Sequence, residues 1–335
     1  MRKVTIIDIA YELDLSPSTV SRALNGIGRM NPKTRRQILD LAKKWDYHPN
    51  PHAQRLKKVK TSTIGLIVPE LTHHFYSQMV KGVDSVLDEV GYQQIICVSN
   101  EEFEKEKKAA DALLNARVDG LLLALSNETR EYDHIQQLIH EEIPVVFLDR
   151  MCEDIQAPYV MTDDFEGAKL ATQYLIDIGC NKIAFIKGPE IISTTFSRLM
   201  GYKEAFKVNG QEVDDSFIID HCDENQLESC LSKLVKENSI DGLLAHSDYH
   251  AFMAMEILQK KGLKIPEDIS IIGYANEPLA SYTTPKITSV KQPAFEMGKM
   301  GMELLMSQIE SGEMGEPQIL STELVIREST SRAKR

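Results

Sequence analysis

The strongest constraint on the fold is a tandem alternation of short apolar runs with helical patterns, which starts at Thr63. The apolar runs lie at 64–68, 94–98, 120–125 and 145–149, and again at 183–187, 217–219, 242–245 and 269–273. The helical patterns lie near 75–90, 102–116, 131–141, 195–208, 225–237 and 249–262. Strands that alternate with helices form parallel sheets, so this region is predicted to be an α/β core of two doubly wound halves. Since such sheets bind ligands beyond the carboxyl ends of their strands, two facing halves predict a cleft.

Residues 5–45, which precede this core, carry three short amphipathic helical patterns. Each begins at a residue that can cap a helix, namely Thr5, Ser16 before Pro17, and Asn31 before Pro32. The apolar positions that would face inward are Ile6, Ile9, Ala10, Leu13, Val20, Ala23, Leu24, Ile38, Leu41, Ala42 and Trp45. Only Asp14 and Leu15 separate the first two patterns, and a tight turn between short helices is typical of an all-α helix-turn-helix head.

The second helix of such a head enters the DNA major groove, so its exposed polar residues are candidates for DNA binding. Residues suited to base edges are Pro17, Ser18, Ser21 and Arg22, of which Arg22 can form a bidentate pair with guanine. Residues suited to phosphate oxygens are Ser16, Thr19 and Asn25, and we add Thr5 and Thr34 as further DNA-binding candidates. The alternative is an ordinary three-helix bundle with a polar surface.

Charge is divided unequally between the two parts of the chain. Residues 1–60 contain 13 Lys and Arg against 5 Asp and Glu, a net charge of +8, whereas the remaining residues carry −20. A basic head on an acidic body is expected when only the head contacts nucleic acid. The charge pattern therefore favours a DNA-binding head over the plain bundle.

Several other classes of protein fit the sequence poorly. The longest apolar runs are far shorter than the roughly 20 residues of a membrane span, and the N-terminus has no signal-peptide core. The five cysteines are scattered, which fits reduced thiols in the cytoplasm. No Gly-x-Ser-x-Gly, phosphate-loop, Gly-x-Gly-x-x-Gly or His-Glu-x-x-His motif is present, and we expect neither an enzyme nor a cofactor or metal. The adjacent His73 and His74 are expected to be surface or cleft-edge polar residues.

Three segments of the head resemble the lac repressor/gal repressor (LacI/GalR) family of transcription regulators. They are residues 5–10 (TIIDIA), the pattern Ser16-x-x-Thr19-Val20-Ser21-Arg22-x-x-Asn25, and residues 46–50 (DYHPN). The resemblance then continues in order and spacing along the whole chain. Asp14 is a departure, because the family often has glycine there. Aspartate tolerates the left-handed conformation better than most residues, so we expect the turn to be kept.

The resemblance also implies a hinge helix within residues 50–58 that becomes ordered on operator DNA. Leu56 would then be the wedge inserted into the minor groove, with Ala53 near it. The predicted domains are a helix-turn-helix domain at 1–49, a hinge helix and linker at 50–62, and an effector-binding core at 63–335. Within the core, the first half combines 63–160 with 292–320, and the second half combines 161–291 with 321–335.

For the core, the resemblance implies a periplasmic-binding-protein-like fold with an effector in the cleft. The effector-binding candidates that it suggests are Phe75, Asp149, Arg198, His221, Ser247, Asp248 and Asn276. Each has a simpler interpretation as well: Phe75 as a core residue, Asp149 with Arg150 as a local ion pair, and Arg198 as a surface charge at a helix start. Polar groups with one arginine suit hydroxyl-rich or carboxylate ligands.

One departure from the family lies after the run at 269–273, where relatives commonly have two acidic residues. Here Ala275 and Asn276 follow Tyr274, and only Asn276 could replace a lost hydrogen bond. The loss of a negative charge from the cleft would make the binding of an anionic effector, such as a sugar acid, less unfavourable than in relatives with two acidic residues.

The sequence thus predicts a cytoplasmic, sequence-specific transcription regulator, a repressor, whose DNA affinity is controlled by a sugar or sugar acid. Two-fold symmetry implies a homodimer on an inverted-repeat operator of double-stranded DNA, since no heptad segment for a tetramer follows Val325. The effector acts as inducer or co-repressor. The alternatives are control by a partner protein, a solute-binding protein, or an α/β enzyme.

Overall fold

The computed structural model describes residues 6–24, 31–45, 60–189, 193–220, 224–238 and 240–330. The chain forms two compact units, Met1–Lys60 and Thr61–Arg335. None of the helices in the described part of the chain combines the length and apolar character that crossing a membrane requires.

The described residues of the first unit form a bundle of three helices. Its helices are α1 (Ile6–Glu12), α2 (Pro17–Leu24) and α3 (Pro32–Lys44). Their shared core consists of Ile9, Ala10, Val20, Ala23, Ile38 and Ala42. The predicted caps of the second and third helices are confirmed, because Ser16 Oγ accepts from the Thr19 amide at 3.2 Å and Asn31 Oδ1 accepts from the Lys33 amide at 2.9 Å. Asp14 has φ +52°, so it does adopt the left-handed turn.

The second unit contains two lobes, each built on a six-stranded sheet. The first sheet has the order β11-β5-β4-β3-β1-β2 and is parallel throughout. Its strands are β1 (Thr63–Val68), β2 (Gln93–Val98), β3 (Gly120–Leu123), β4 (Val145–Leu148), β5 (Tyr159–Thr162) and β11 (Gln318–Leu320). Its helices are α4 (His74–Val90), α5 (Phe103–Ala116), α6 (Asp133–His140) and α11 (Ala294–Ser311).

Alternate residues of this first sheet pack into two separate hydrophobic layers. Leu66, Leu122 and Val146 lie in the layer formed with α4 and α11. Ile67 and Leu121 lie in the opposite layer, formed with α5 and α6. Helices therefore cover both faces of the sheet, which leaves its carboxyl edge free for a binding site.

The second sheet has the same arrangement, with the order β12-β10-β9-β8-β6-β7. Its strands are β6 (Ile183–Ile186), β7 (Ile218–Ile219), β8 (Gly242–Ala245), β9 (Ser270–Tyr274), β10 (Thr288–Lys291) and β12 (Glu323–Val325). All pairs are parallel except β10 with β12. Its helices are α7 (Asp164–Asp177), α8 (Ser193–Val208), α9 (Glu224–Asn238) and α10 (Asp248–Lys260).

The chain passes between the lobes three times: between β5 and α7, between β10 and α11, and between β11 and β12. The predicted fold class, a helix-turn-helix head with an α/β core of two doubly wound halves, is confirmed. The alternation read from the sequence did not include α7, α11, β5 or β10 to β12.

Candidate ligand-binding cleft

The candidate site lies where the carboxyl edges of the two sheets face each other. Polar residues follow β1, β2 and β4 in the first lobe and β8 and β9 in the second. Side chains from both lobes form buried clusters there, and some of the described contacts join the lobes directly. An arrangement of this kind can enclose a small polar molecule.

The cluster of the first lobe centres on Asp149, the residue directly after β4. It is buried and has φ +63°, and its Oδ2 accepts a hydrogen bond from the Tyr76 hydroxyl at 3.2 Å. Burial raises the pKa of Asp149 to about 6, although the neighbouring Arg150 works in the opposite direction. Asp149 is therefore a buried acceptor whose pKa is raised above the ordinary value.

Arg150 forms the predicted ion pair with Asp149, but its main partner is a different residue. Its Nε lies 3.5 Å from Asp149 Oδ2, whereas its two terminal nitrogens bind both Glu101 oxygens at 2.9 and 3.1 Å. One of them also donates to the Leu125 carbonyl at 2.8 Å. The guanidinium group of Arg150 thus connects the loops after β2, β3 and β4 and positions Asp149.

The cluster of the second lobe centres on Arg198. Contrary to its interpretation as a surface charge at a helix start, Arg198 lies one and a half turns into α8 and is buried. Its Nε and one terminal nitrogen each lie 3.0 Å from Asp164 Oδ1, and the other donates to the His246 carbonyl at 2.6 Å. The guanidinium stacks 3.7 Å from the ring centre of Tyr274. The arginine is therefore fixed on all sides by its own lobe.

Gln292 connects this second cluster to the segments on which the chain changes lobe. Its Nε2 donates to Thr162 Oγ1 at 2.9 Å and lies 3.5 Å from Asp164 Oδ1. All three residues are buried and lie beside the lobe crossings. The Arg198 cluster is thus in direct contact with the segments that connect the two lobes.

Asp248, the first residue of α10, is fully buried. It accepts from the Glu277 amide at 2.6 Å and from the Ser289 hydroxyl at 2.7 Å. Burial raises its pKa to about 7 despite these two hydrogen bonds. Gly273 makes room for it, because a Cβ there would lie 2.0 Å from Asp248 Oδ1. Asp248 therefore organises the loop after β9.

Among the described residues, a hydrogen-bonded pair and a stacked ring pair cross the cleft. We call the four residues that make these contacts the cross-lobe latch: His73, His74, Tyr249 and Glu277. Both carboxylate oxygens of the buried Glu277 accept from the His74 amide, at 2.9 and 3.1 Å. The rings of His73 and Tyr249 stack with their centres 4.4 Å apart. His73 and His74 begin α4 in the first lobe, whereas Tyr249 and Glu277 belong to the second. The latch therefore joins the two lobes through contacts between protein residues.

His73 is held in place by Glu70, which precedes it in the same loop. Burial works to lower the pKa of His73, but contact with the Glu70 carboxylate raises it by more, so the net pKa lies above the ordinary histidine value. The expectation of a cleft-edge position for His73 is confirmed by its stacking on Tyr249.

The other predicted effector residues occupy varied positions. Phe75 belongs to the core of the first lobe and is 8% exposed. Ser247 caps α10, and its hydroxyl lies 2.7 Å from His250 Nδ1. Asn276 Oδ1 accepts from Arg327 at 2.7 Å within its own lobe. His221 lies outside the described residues.

Several residues of the two clusters were not among the predicted site residues: Tyr76, Glu101, Asp164, Tyr274, Glu277 and Gln292. Asp164 and Gln292 flank lobe crossings, and Glu277 closes the loop after β9. Their positions next to strand ends were the signal that could have identified them. The partners of each residue lie far away along the chain, so the pairings themselves could not be read from it.

Three basic side chains in the described part of the carboxyl edges are each paired with a carboxylate. Arg150 pairs with Glu101, Arg198 with Asp164, and Lys187 after β6 with Asp220 at 2.8 Å. Within the described residues no group of three His, Cys, Asp or Glu side chains is arranged to hold a metal ion. The cleft chemistry suits hydroxyl groups, which can both donate to carboxylates and accept from guanidinium groups.

Few of the predicted DNA-contacting side chains are described. Ser16 and Pro17 are exposed at the start of α2, and Ser16 Oγ lies 2.8 Å from Thr19 Oγ1. Thr34 is half-buried in α3. Ser18, Ser21 and Arg22 belong to α2, but their side chains lie outside the described part, as do residues Thr5, Asn25, Ala53 and Leu56 altogether.

Two stretches of the chain match known families. Residues 5–50 match the bacterial regulatory proteins of the lacI family, and residues 61–328 match periplasmic binding proteins and the sugar binding domain of the LacI family. The chain is 34% identical to the ribose operon repressor of Halalkalibacterium halodurans over 97% of both chains.

Solved structures give the same result. A complex of the transcriptional regulator CelR with cellobiose has a TM-score of 0.74 and 29% identity, covering 98% of this chain and all of that one. A LacI family regulator from Enterococcus faecium with bound ribose has a TM-score of 0.71 and 28% identity, covering 81% of this chain and all of that one.

Proposed function

Since the chain belongs to the LacI family of bacterial regulatory proteins, it is a DNA-binding transcription regulator controlled by a small molecule, and we propose that its effector is a neutral sugar. The observation that carries this proposal is the pairing of Arg150 and Arg198 with carboxylates of the cleft. An anionic effector would have to compete with Glu101 or Asp164 for a guanidinium group and would leave a buried carboxylate unpaired. A neutral sugar adds hydrogen bonds without displacing either pair.

The effector contacts are assigned to both lobes. Asp149 from the first lobe and Arg198 and Asp248 from the second offer acceptors and donors at the facing sheet edges. Phe75, Ser247 and Asn276 are assigned to the wall of the site and contribute through its shape. Binding between two lobes favours the closed arrangement, and only this difference in affinity can drive the switch.

The head supplies sequence specificity. Pro17, Ser18 and Arg22 are assigned to base edges, Ser16, Thr19 and Asn25 to phosphates, and Leu56 to the minor groove. A homodimer would place two heads on an inverted repeat, and the protein would act as a repressor on that site in the cytoplasm. We assign it no catalytic role, in keeping with the regulators to which it is similar.

A thermal-shift panel tests the choice of effector. We expect at least one neutral sugar, with D-ribose and cellobiose as first members of the panel, to raise the melting temperature of the full chain. Gluconate and glucuronate should leave it unchanged at equal ionic strength. Stabilisation by the sugar acids alone would contradict the proposal and would restore the anionic effector that Ala275 suggested.

A further inference from the structure

The two lobes share a local device at the edge of the sheet opposite to the cleft. An aspartate directly precedes β3 in the first lobe, and another precedes β8 in the second. The surrounding sequences match: Asp119-Gly120-Leu121-Leu122 and Asp241-Gly242-Leu243-Leu244. In each lobe the aspartate binds the chain where it enters the neighbouring strand, β1 or β6.

In the second lobe the aspartate only fixes the backbone at the start of β6. Both oxygens of Asp241 lie 3.0 Å from the Asn181 amide, and Oδ1 also accepts from the Lys182 amide at 2.8 Å. The chain arrives there from α7 of the same lobe. Asp241 therefore fixes a turn inside one rigid body.

In the first lobe the same device holds the first residues of the core. Asp119 Oδ1 accepts from the Thr61 amide at 3.0 Å, and Oδ2 accepts from the Ser62 amide at 2.9 Å. The Thr61 hydroxyl also donates to the Arg117 carbonyl at 3.0 Å. Ser62 has φ +53°, and consecutive amides in such a conformation form a concave anion site, which the carboxylate fills.

The two devices differ in what precedes them. Residue 61 begins the second compact unit, and the DNA-reading unit ends at residue 60. A carboxylate bound to two successive amides restricts both the position and the direction of the backbone that it holds. Here that backbone is the point at which the core connects to the head.

We propose that Asp119 is a positioning residue for allosteric control, because it fixes the direction in which the linker leaves the core. Because residues 61 and 62 are held on the first lobe, movement of that lobe also moves the start of the linker. This inference rests on the proposed function. Asp119 itself does not touch the effector, since β3 separates it from the cleft edge by about 13 Å at the usual rise per residue of a strand.

The test compares matched variants of the full chain, Asp119→Ala and Asp241→Ala, on a DNA duplex selected from a random pool by the unaltered protein. The readout is the ratio of affinities for the selected duplex and for a scrambled duplex of equal length, with folding checked by thermal melting. We expect Asp119→Ala to lower this ratio at least tenfold, with the affinity for the scrambled duplex unchanged. Asp241→Ala should keep the ratio within twofold.

Asp119→Asn keeps one acceptor oxygen and should give an intermediate ratio, and it replaces Asp119→Ala if that variant does not fold. An unchanged ratio in the Asp119 variants would overturn the inference, and so would an equal loss in Asp241→Ala, which would mark the effect as general destabilisation. If the unaltered protein selects no duplex at all, the proposed function fails first, and this result is distinct from the other two.

Discussion

At the scale of single residues, the cleft is built from buried charges that are already paired. Arg198 illustrates the cost of this arrangement, because it is surrounded by Asp164, the His246 carbonyl and the ring of Tyr274. Burying a charge is costly unless it is paired and hydrogen-bonded. The arrangement is therefore a preorganised site whose stability depends on every partner being present.

Arg198→Ala should destabilise the core strongly, because it leaves the buried Asp164 carboxylate without its counter-charge. We expect a loss of about 3–5 kcal/mol in the free energy of unfolding, measured by urea titration at pH 7. Lys203→Ala is the matched control on the same helix, since Lys203 pairs with the exposed Asp215. That variant should lose at most about 1 kcal/mol. Equal losses in the two variants would contradict a buried role for Arg198.

Asp248 should make the stability of the core depend on pH. Its pKa of about 7 in the folded protein exceeds the ordinary value of about 4, so between these values the folded state keeps a proton that the unfolded chain has lost. Unfolding then releases a proton, and stability falls as the pH rises through this window, by up to about 1.4 kcal/mol per pH unit. Melting from pH 4.5 to 8 measures this slope.

Asp248→Asn should flatten that slope while lowering stability at every pH, because the amide keeps only one acceptor for Ser289 and Glu277. Asp111→Asn, an exposed change in α5, is the control and should keep the original slope. If Asp248→Asn melts with the slope of the unaltered protein, the raised pKa is wrong.

The residue scale is also where prediction from sequence was weakest. Arg198 and Asp248 were identified by resemblance, but their environments were not, since Asp164 and Ser289 lie 34 and 41 positions away along the chain. Asn276 was the residue that could replace a lost hydrogen bond to the effector, and the binding of its carbonyl oxygen to Arg327 was not foreseen. Such pairings depend on how distant segments meet, which a local pattern does not encode.

At the scale of elements, the predicted strands and helices were confirmed wherever their apolar pattern was strong. Helix α11 was not among the predicted helices, and it contains Gly298 and Gly301, a residue type that disfavours helices. The structure gives the physical reason for Gly298: a Cβ there would lie 1.9 Å from the Met79 carbonyl of α4. Close packing of α11 against α4 thus requires glycine at position 298, although glycine weakens the helical pattern in the sequence.

The cross-lobe latch also belongs to the scale of elements, since it joins the start of α4 to α10 and the loop after β9. Glu277→Ala removes the acceptor of the His74 amide, and Tyr249→Ala removes the ring that stacks on His73. A hydrogen bond to a carboxylate contributes about 1.5–3 kcal/mol and a stacked ring pair about 0.5–1.5 kcal/mol, so either loss should weaken the contact between the lobes. We expect calorimetry to show at least tenfold weaker binding of the sugar that the thermal-shift panel identifies.

Two control variants separate the latch from general damage. Glu277→Gln keeps an acceptor oxygen and should retain most of the affinity. Tyr282→Ala changes an exposed tyrosine of the same lobe and should have no effect. If Glu277→Ala and Tyr249→Ala both bind the sugar as the unaltered protein does, the latch does not contribute to closure.

At the scale of the whole molecule, the division of charge along the chain coincides with the division into two compact units. The described part of the basic N-terminal unit is a bundle of three helices, and the acidic unit is a pair of lobes around a cleft. This division was predictable because charge asymmetry and strand–helix alternation extend over tens of residues. The DNA contacts assigned to Arg22 and Leu56 remain predictions, the first from the helix-turn-helix pattern and the second from the family resemblance.

We propose that a neutral sugar in the cleft changes how the head binds its operator. The direct measurement is fluorescence anisotropy of the selected duplex against the full chain, with and without the stabilising sugar, at fixed salt. We expect two chains per duplex and an affinity that changes at least tenfold with the sugar, while a scrambled duplex shows no change. A sugar that stabilises the core but leaves the affinity for the selected duplex unaltered would contradict the account.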